Sequence, residues 1–295
     1  MKARLRGNNT QVARFVEGHR GVKLAVTVLL VRDGVHCLEV YVQERVSSMP
    51  TFPKATVFPG GGIDPRDFAI AQPQTGKPDE PLVFEPNDHE SFDSDPTWYG
   101  PRLSVWADRL KTDRFRARAL IMGACRELFE ESGTLLASHA DGRSVTDATP
   151  YHNERLALES HHLSFSQMLL QNNLVARTDL LAPCSRWISP ETDKHQFDLY
   201  SFVALPPYGQ EPDGRTSEAA STGWFTPSIV LDGWRAGLIR LVIPTWAHML
   251  MLSEHKTVKS LLYSLKNPSM EPVVGDPSSD PRYREFYNFT PPKRF

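Results

Sequence analysis

Apolar positions recur along the chain with two different periods, and the switches between them outline the fold. "KLAVTVLLVRDGVHCLEVYVQER" holds two apolar, β-branched runs around Asp33-Gly34, a pair that tolerates the positive φ of a tight turn, and so predicts a β-hairpin. A third extended run, "ATVF", stops at "PGGG", where Pro59 and Gly60 to Gly62 predict a break in regular structure. From about Thr112 the period lengthens: Ala117, Ile121, Ala124 and Leu128 form one helical stripe, and Gly133 suits its C-terminal end. Residues 150–173 predict one or two short helices, and "RWISPETDKHQFDLYSFVAL" predicts strand, turn and strand. "GWFTPSIVLDGWRAG" reads as a strand end and a helix starting near Pro227, while "IPTWAHMLMLSEHKTVKSLLYSLK" reads as one long amphipathic helix. The fold class expected is α/β, a sandwich with a mixed sheet and extra C-terminal helices.

Texture changes twice. Between Asp67 and about Lys111 the chain is rich in proline and acidic residues without a helical period, which marks an insertion. Phe84, Phe92, Trp98 and Tyr99 give it groups to dock with, as a lid over a site or as a plain spacer. After Asn267 period is lost again, and an extended, draped or disordered tail is expected. The organisation expected is an N-terminal extension (1–22), one domain (23–266, with the insertion at about 68–112) and a tail (267–295).

Composition narrows the function classes. With 33 Lys+Arg against 35 Asp+Glu, the chain has no basic excess to suggest a nucleic-acid or anionic-membrane partner. Cys37, Cys125 and Cys184 lack metal or disulfide spacing, and "LAVTVLLV" is too short to span a bilayer, so a cytoplasmic protein is expected. Dinucleotide, P-loop and hydrolase-elbow motifs are not found.

The candidate chemistry lies in "ACRELFEESGTLLA". On a helix turning about 100° per residue, Glu127, Glu130 and Glu131 share one arc, away from the apolar stripe. Their mutual repulsion is a cost in a groove, and hard Mg2+ or Mn2+, which prefers oxygen ligands, relieves it. Arg126 can brace a carboxylate with its planar fork.

The string Arg-Glu-Leu-x-Glu-Glu-x-Gly resembles the helical half of the Nudix box, G-x5-E-x7-R-E-U-x-E-E-x-G-U, where U is a bulky aliphatic residue. "VFPGGGIDPRD" resembles the glycine-loop half, with Asp67 where the pattern has Glu. The insertion splits the two, as in the coenzyme A diphosphatase branch of that family, to which "FPKATVFPGGGIDPRD", "TSEAASTGWFTP" and "IRLVIPT" are also similar. Two further departures are Thr134, in place of the closing aliphatic residue, and Tyr200 with no arginine in "QFDLYSF".

The resemblance implies Mg2+- or Mn2+-dependent hydrolysis of a nucleoside diphosphate linked to another group, with coenzyme A or a derivative as the expected substrate. ADP-ribose, NADH or a nucleotide sugar, or a non-catalytic nucleotide sensor, are the alternatives. It implies Glu127, Glu130, Glu131 and the Gly60 carbonyl as metal ligands, with Arg126 orienting them. Gly61, Arg45 and Glu218 fall on the substrate side, and Glu130, Glu131 and Glu218 are the candidate bases. The partner expected is a small nucleotide, and a homodimer is the assembly expected.

Other side chains read as structural. His161-His162 suit the surface, His248 and His255 share a helix face, and Trp187, Trp224 and Trp246 suit the core or a groove wall. Phe52, Trp98 and Tyr99 are candidates for stacking a base, though docking explains them as well; Cys125 reads as packed.

Overall fold

The computed structural model describes residues 17–70 and 95–289, so Phe84 and Phe92 of the insertion lie outside the described residues. Strands β1 (Lys23–Asp33) and β2 (Leu38–Arg45) form the expected hairpin, but through a four-residue loop in which Gly34 N–H donates to the Cys37 carbonyl at 2.9 Å. Gly34 keeps a negative φ, and the Asp33 carboxylate accepts from Val258 N–H at 2.7 Å. Short strands β3 (Thr56–Val57) and β4 (Gly60–Gly62) follow. The glycines therefore do not break regular structure; they pair with β1 through Ala25, Val26 and Thr27. β5 (Trp98–Tyr99), β6 (Ala137–His139) and β7 (Leu174–Arg177) make a small side sheet. β8 (Leu181–Ile188), β9 (Phe197–Ala204), β10 (Ala219–Phe225) and β11 (Val273–Val274) complete the main sheet, ordered β10-β2-β1-β9-β8-β11, with β1 and β9 parallel.

The helices are α1 (Leu103–Leu110), α2 (Arg114–Ser132), α3 (His152–Glu159), α4 (Phe165–Gln171), α5 (Pro227–Arg235), α6 (Ile243–Ser253), α7 (Val258–Ser264) and α8 (Arg284–Asn288). Alternation along β1 feeds two cores: Leu24, Val26, Val28 and Leu30 pack with α2, while Leu29 and Val31 pack with α5, α6 and α7. This is the expected α/β/α sandwich.

Three more expectations need correction. The single helix after Ile243 is two, because Thr257 caps α7 by accepting from Ser260 N–H and Asp33 holds the first turn. Helix α1 sits where no period was expected, burying Leu103, Trp106, Ala107 and Leu110 on one face. The tail is draped, yet it adds a strand to the sheet and ends in α8, where Phe286 stacks on Trp234 at 5.7 Å.

Helix α2 is the axis of the molecule. Asp113 caps it by accepting from Arg116 N–H, and Gly133 ends it at φ 71°, the left-handed conformation expected there. Its polar residues from Arg118 onward are buried too, so each needs a partner inside the protein. Arg118 is fully buried and donates to Asp95 at 2.7 Å and to the Asp67 carbonyl at 2.7 Å, tying together the two ends of the stretch 71–94.

Candidate active site

The glycine turn and the carboxylate helix meet. A Cβ on Gly61 would lie 2.7 Å from the Glu127 carboxylate, so the bare backbone there is what lets the turn rest on the helix. A Cβ on Gly60 would collide with the Val26 carbonyl, and one on Gly123 would press on Ile63 and Asp67. Glycine is needed on both sides of the junction.

Arg126 welds it. Nε and Nη2 donate to the two Asp67 oxygens at 3.0 and 2.9 Å, and Nη2 also reaches the Gly62 carbonyl at 3.0 Å. Nη1 donates to Glu127 at 2.8 Å and to Glu130 at 3.2 Å. Asp67, though shorter than Glu, is thus fully engaged, and it also accepts from Asp64 N–H at 2.9 Å. Glu131 turns the other way, accepting from Gly60 N–H at 2.8 Å and from Gln43 at 2.5 Å. Arg45 pairs with Glu218 at 3.4 Å.

Five carboxylates (Asp67, Glu127, Glu130, Glu131 and Glu218) therefore crowd against the guanidinium groups of Arg126 and Arg45. Glu127, Glu130 and Glu131 are only 8%, 9% and 5% exposed. Burial, opposed by Arg126 and reinforced by Glu127, pushes Glu130 up to about 8. Burial likewise raises Glu127 and, with Glu127 and Glu218 adding repulsion, lifts Glu131 well above the usual range. Five carboxylates against two guanidinium groups leave an excess of oxygen donors, which fits a hard divalent cation. Among the described residues no three acidic, imidazole or thiol groups already converge as a ligand set. Arg126 stands between Glu127 and Glu130, and Glu131 is drawn to Gly60.

Arg126, Glu127, Glu130 and Glu131 line one groove of about 1000 Å3 together with Arg45, Gly60 to Gly62 and Glu218. Every site residue expected from the sequence is therefore brought to one place. Gln43 and Lys23 were missed. Gln43 is a polar residue buried within an apolar strand, which is the signal that could have found it. Lys23 ends over Gly62, where a Cβ would clash with its ammonium end.

Solved structures decide the fold. That of a NUDIX hydrolase from Alicyclobacillus acidocaldarius superposes with a TM-score of 0.62 at 23% identity, covering 84% of this chain and 98% of that one. The chain has the Nudix hydrolase fold. The two strings that resemble the halves of the Nudix box, separated by the segment between Asp67 and Arg126, are joined by the contacts just described. Among curated proteins it is 24% identical over 258 residues to acyl-coenzyme A diphosphatase NUDT19 of Xenopus laevis, a match covering 79% of this chain but 64% of that protein. The chain thus resembles the Nudix branch expected from its interrupted box. The NUDIX domain of Shewanella oneidensis NrtR complexed with ADP ribose overlays more loosely, at TM-score 0.36, 14% identity, and 80% and 86% coverage. No family model matches the chain.

The remaining candidates separate. His161 and His162 are exposed, as expected, although His161 also reaches the groove edge beside Arg66 and Asp64. His248 and His255 do not share a helix: His248 is buried in α6, and His255 lies beyond its end, against Ser260. Trp187 and Phe52 line the groove, Trp246 is core, and Trp224 packs on Tyr41 and under Arg32. Cys125 is buried, as expected. Tyr200 points into the core beneath Arg186, away from the groove. Among the described residues no helix is long and apolar enough to cross a membrane.

Proposed function

We propose that this groove hydrolyses the pyrophosphate of a nucleoside diphosphate linked to another group, with coenzyme A or an acyl derivative as substrate. The observation carrying the reading is the Gly61–Glu127 contact, which joins a backbone turn suited to phosphate with three buried carboxylates. Glu127, Glu130 and Glu131, with the Gly60 carbonyl, would hold Mg2+ or Mn2+. When bound, such an ion neutralises the phosphates and acidifies a water. Arg126 fixes the directions of Glu127 and Glu130, and Gly60 N–H with Gln43 fixes Glu131. Lys23 and Arg45 offer positive charge to the phosphates, and Gly61 leaves them room to approach. Glu218, whose side chain is 40% exposed, is our assignment for the group that takes the proton of the attacking water.

The likeness to the diphosphatase named above supports the substrate class. The test is a mass-spectrometric panel of coenzyme A, acyl-coenzyme A, NADH, ADP-ribose and nucleotide sugars with Mg2+ or Mn2+. Release of 3′,5′-ADP and a phosphopantetheine product is expected. AMP plus a sugar phosphate from ADP-ribose, with coenzyme A untouched, would redirect the substrate assignment. Saturable nucleotide binding without hydrolysis of any member would instead make this a sensor.

A further inference from the structure

Helix α2 ends one residue past its acidic pair Glu130 and Glu131, and that end is held from outside. A helix leaves its last carbonyls without partners of its own. Here Arg155 Nε donates to the Glu130 carbonyl at 3.0 Å, and Asp213 N–H donates to the Ser132 carbonyl at 2.9 Å. The two outside groups are themselves paired, with Arg155 Nη1 donating to both Asp213 carboxylate oxygens at 2.9 Å. Arg155 is buried, and its charge suits the negative end of the helix. Gly133 makes room for the pair: a Cβ there would lie 2.8 Å from Arg155 Nη1 and 3.1 Å from Asp213.

Arg155 lies on α3, and so does Glu159, one turn further along the same face. Asp213 and Ser217 are also four residues apart, and Ser217 Oγ donates to Glu159 at 2.7 Å. Helix α3 therefore grips the irregular segment 213–217 at two points. The next residue is Glu218. Strand pairing does not fix its direction, because the register of β10 on β2 shifts between Ala219 and Ser221. Its backbone is tied by Val46 N–H, which donates to the Glu218 carbonyl at 2.9 Å, and by Thr216 Oγ1, which accepts from Glu218 N–H at 3.2 Å. Glu130, Glu131, Glu159 and Glu218 line the same groove.

We infer that Arg155 and Asp213 are positioning residues. They lock the last turn of α2, with Glu130 and Glu131, to the segment carrying Glu218, and so set where the proton acceptor stands against the carboxylates opposite. A two-pronged, charge-assisted pair is directional enough for this, whereas an irregular segment has no ladder of its own to hold it. The inference rests on the reading of Glu218 as the group that takes the proton of the attacking water. A pair that serves stability alone would act whatever residue stood at 218, and a double-mutant cycle separates the two roles.

The test has a kinetic and a metal-free arm. Turnover of the best substrate in the panel is measured for wild type, Asp213→Ala, Glu218→Gln and the double variant. Amide exchange at Val46 and Glu218 is followed in wild type and Asp213→Ala without metal. Asp213→Ala alone should lower kcat about 30-fold with KM within about threefold, but in the Glu218→Gln background it should cost less than about threefold. Both amides should exchange at least about tenfold faster. Ser217→Ala cuts only the exposed second tether and serves in both arms should Asp213→Ala not fold. It should lower kcat about fivefold, with the same dependence on Glu218. An equal fold-loss in both backgrounds, or unchanged exchange at Val46 and Glu218, overturns the inference. Faster exchange in a chain that hydrolyses no member of the panel refutes the diphosphatase reading alone.

Discussion

Arg126 and Asp67 stand 59 residues apart in sequence and meet in a two-pronged ion pair, 3.0 and 2.9 Å, with both side chains almost fully buried. One guanidinium thereby holds the glycine turn, through Asp67 and the Gly62 carbonyl, and two carboxylates of the helix. Asp67→Ala leaves part of that guanidinium buried and unpaired. A loss of about 3 kcal/mol in urea unfolding is expected. A change below 1 kcal/mol would mean that the junction is held elsewhere.

Gly61→Ala tests the contact itself. Its methyl group would meet the Glu127 carboxylate at 2.7 Å, so turn or helix must shift. Activity should fall about 100-fold, because displacements near 1 Å at a reacting centre cost that much. Near wild-type kcat/KM with intact folding would show that the two halves need not touch.

Acidity gives a third prediction. Glu127, Glu130 and Glu131 keep their protons to higher pH when folded than when unfolded, the usual value being 4.5 and Glu130 lying at about 8. The folded chain therefore binds more protons in that window, and its stability falls as pH rises through it. In EDTA, Tm should be lower at pH 8 than at pH 5.5, with a shallower slope in Glu130→Gln. Mg2+ should raise Tm more at pH 8. A Glu130→Gln slope equal to wild type contradicts the assignment.

Helix α2, the first hairpin and the paired glycine-loop and carboxylate strings were readable because each is local: a period, a turn signal, a motif. What joins them was not. Arg118 looks like an ordinary charge on a helix, yet it is the residue that gathers Asp67 and Asp95. Helix α1 was hidden by the proline-rich texture before it, although Leu103, Trp106, Ala107 and Leu110 have helical spacing. The tail has no period because its order comes from single aromatic contacts, such as Phe286 on Trp234. Gln43 and Lys23 enter the site only through strand pairing, which sequence spacing does not reveal.

The Arg118 bridge sets where the insertion can be cut. Replacing residues 72–93 with a short Gly-Ser linker should leave Tm within about 3 °C, since both anchor points survive and loop closure depends weakly on length. Extending the excision to residue 100 removes Asp95. It should then destabilise as Arg118→Ala does, by about 3–5 kcal/mol. Equal stability of the two excisions would contradict the bridge.

The most direct measurement is turnover of coenzyme A by wild type and Glu130→Gln, each with Mg2+ or Mn2+ and with EDTA. The wild type should hydrolyse the pyrophosphate only with the cation, and the variant should lose at least about 100-fold in kcat while its melting curve stays cooperative. Undiminished turnover in Glu130→Gln, or wild-type turnover unaffected by EDTA, would contradict a cation held by the rejoined halves.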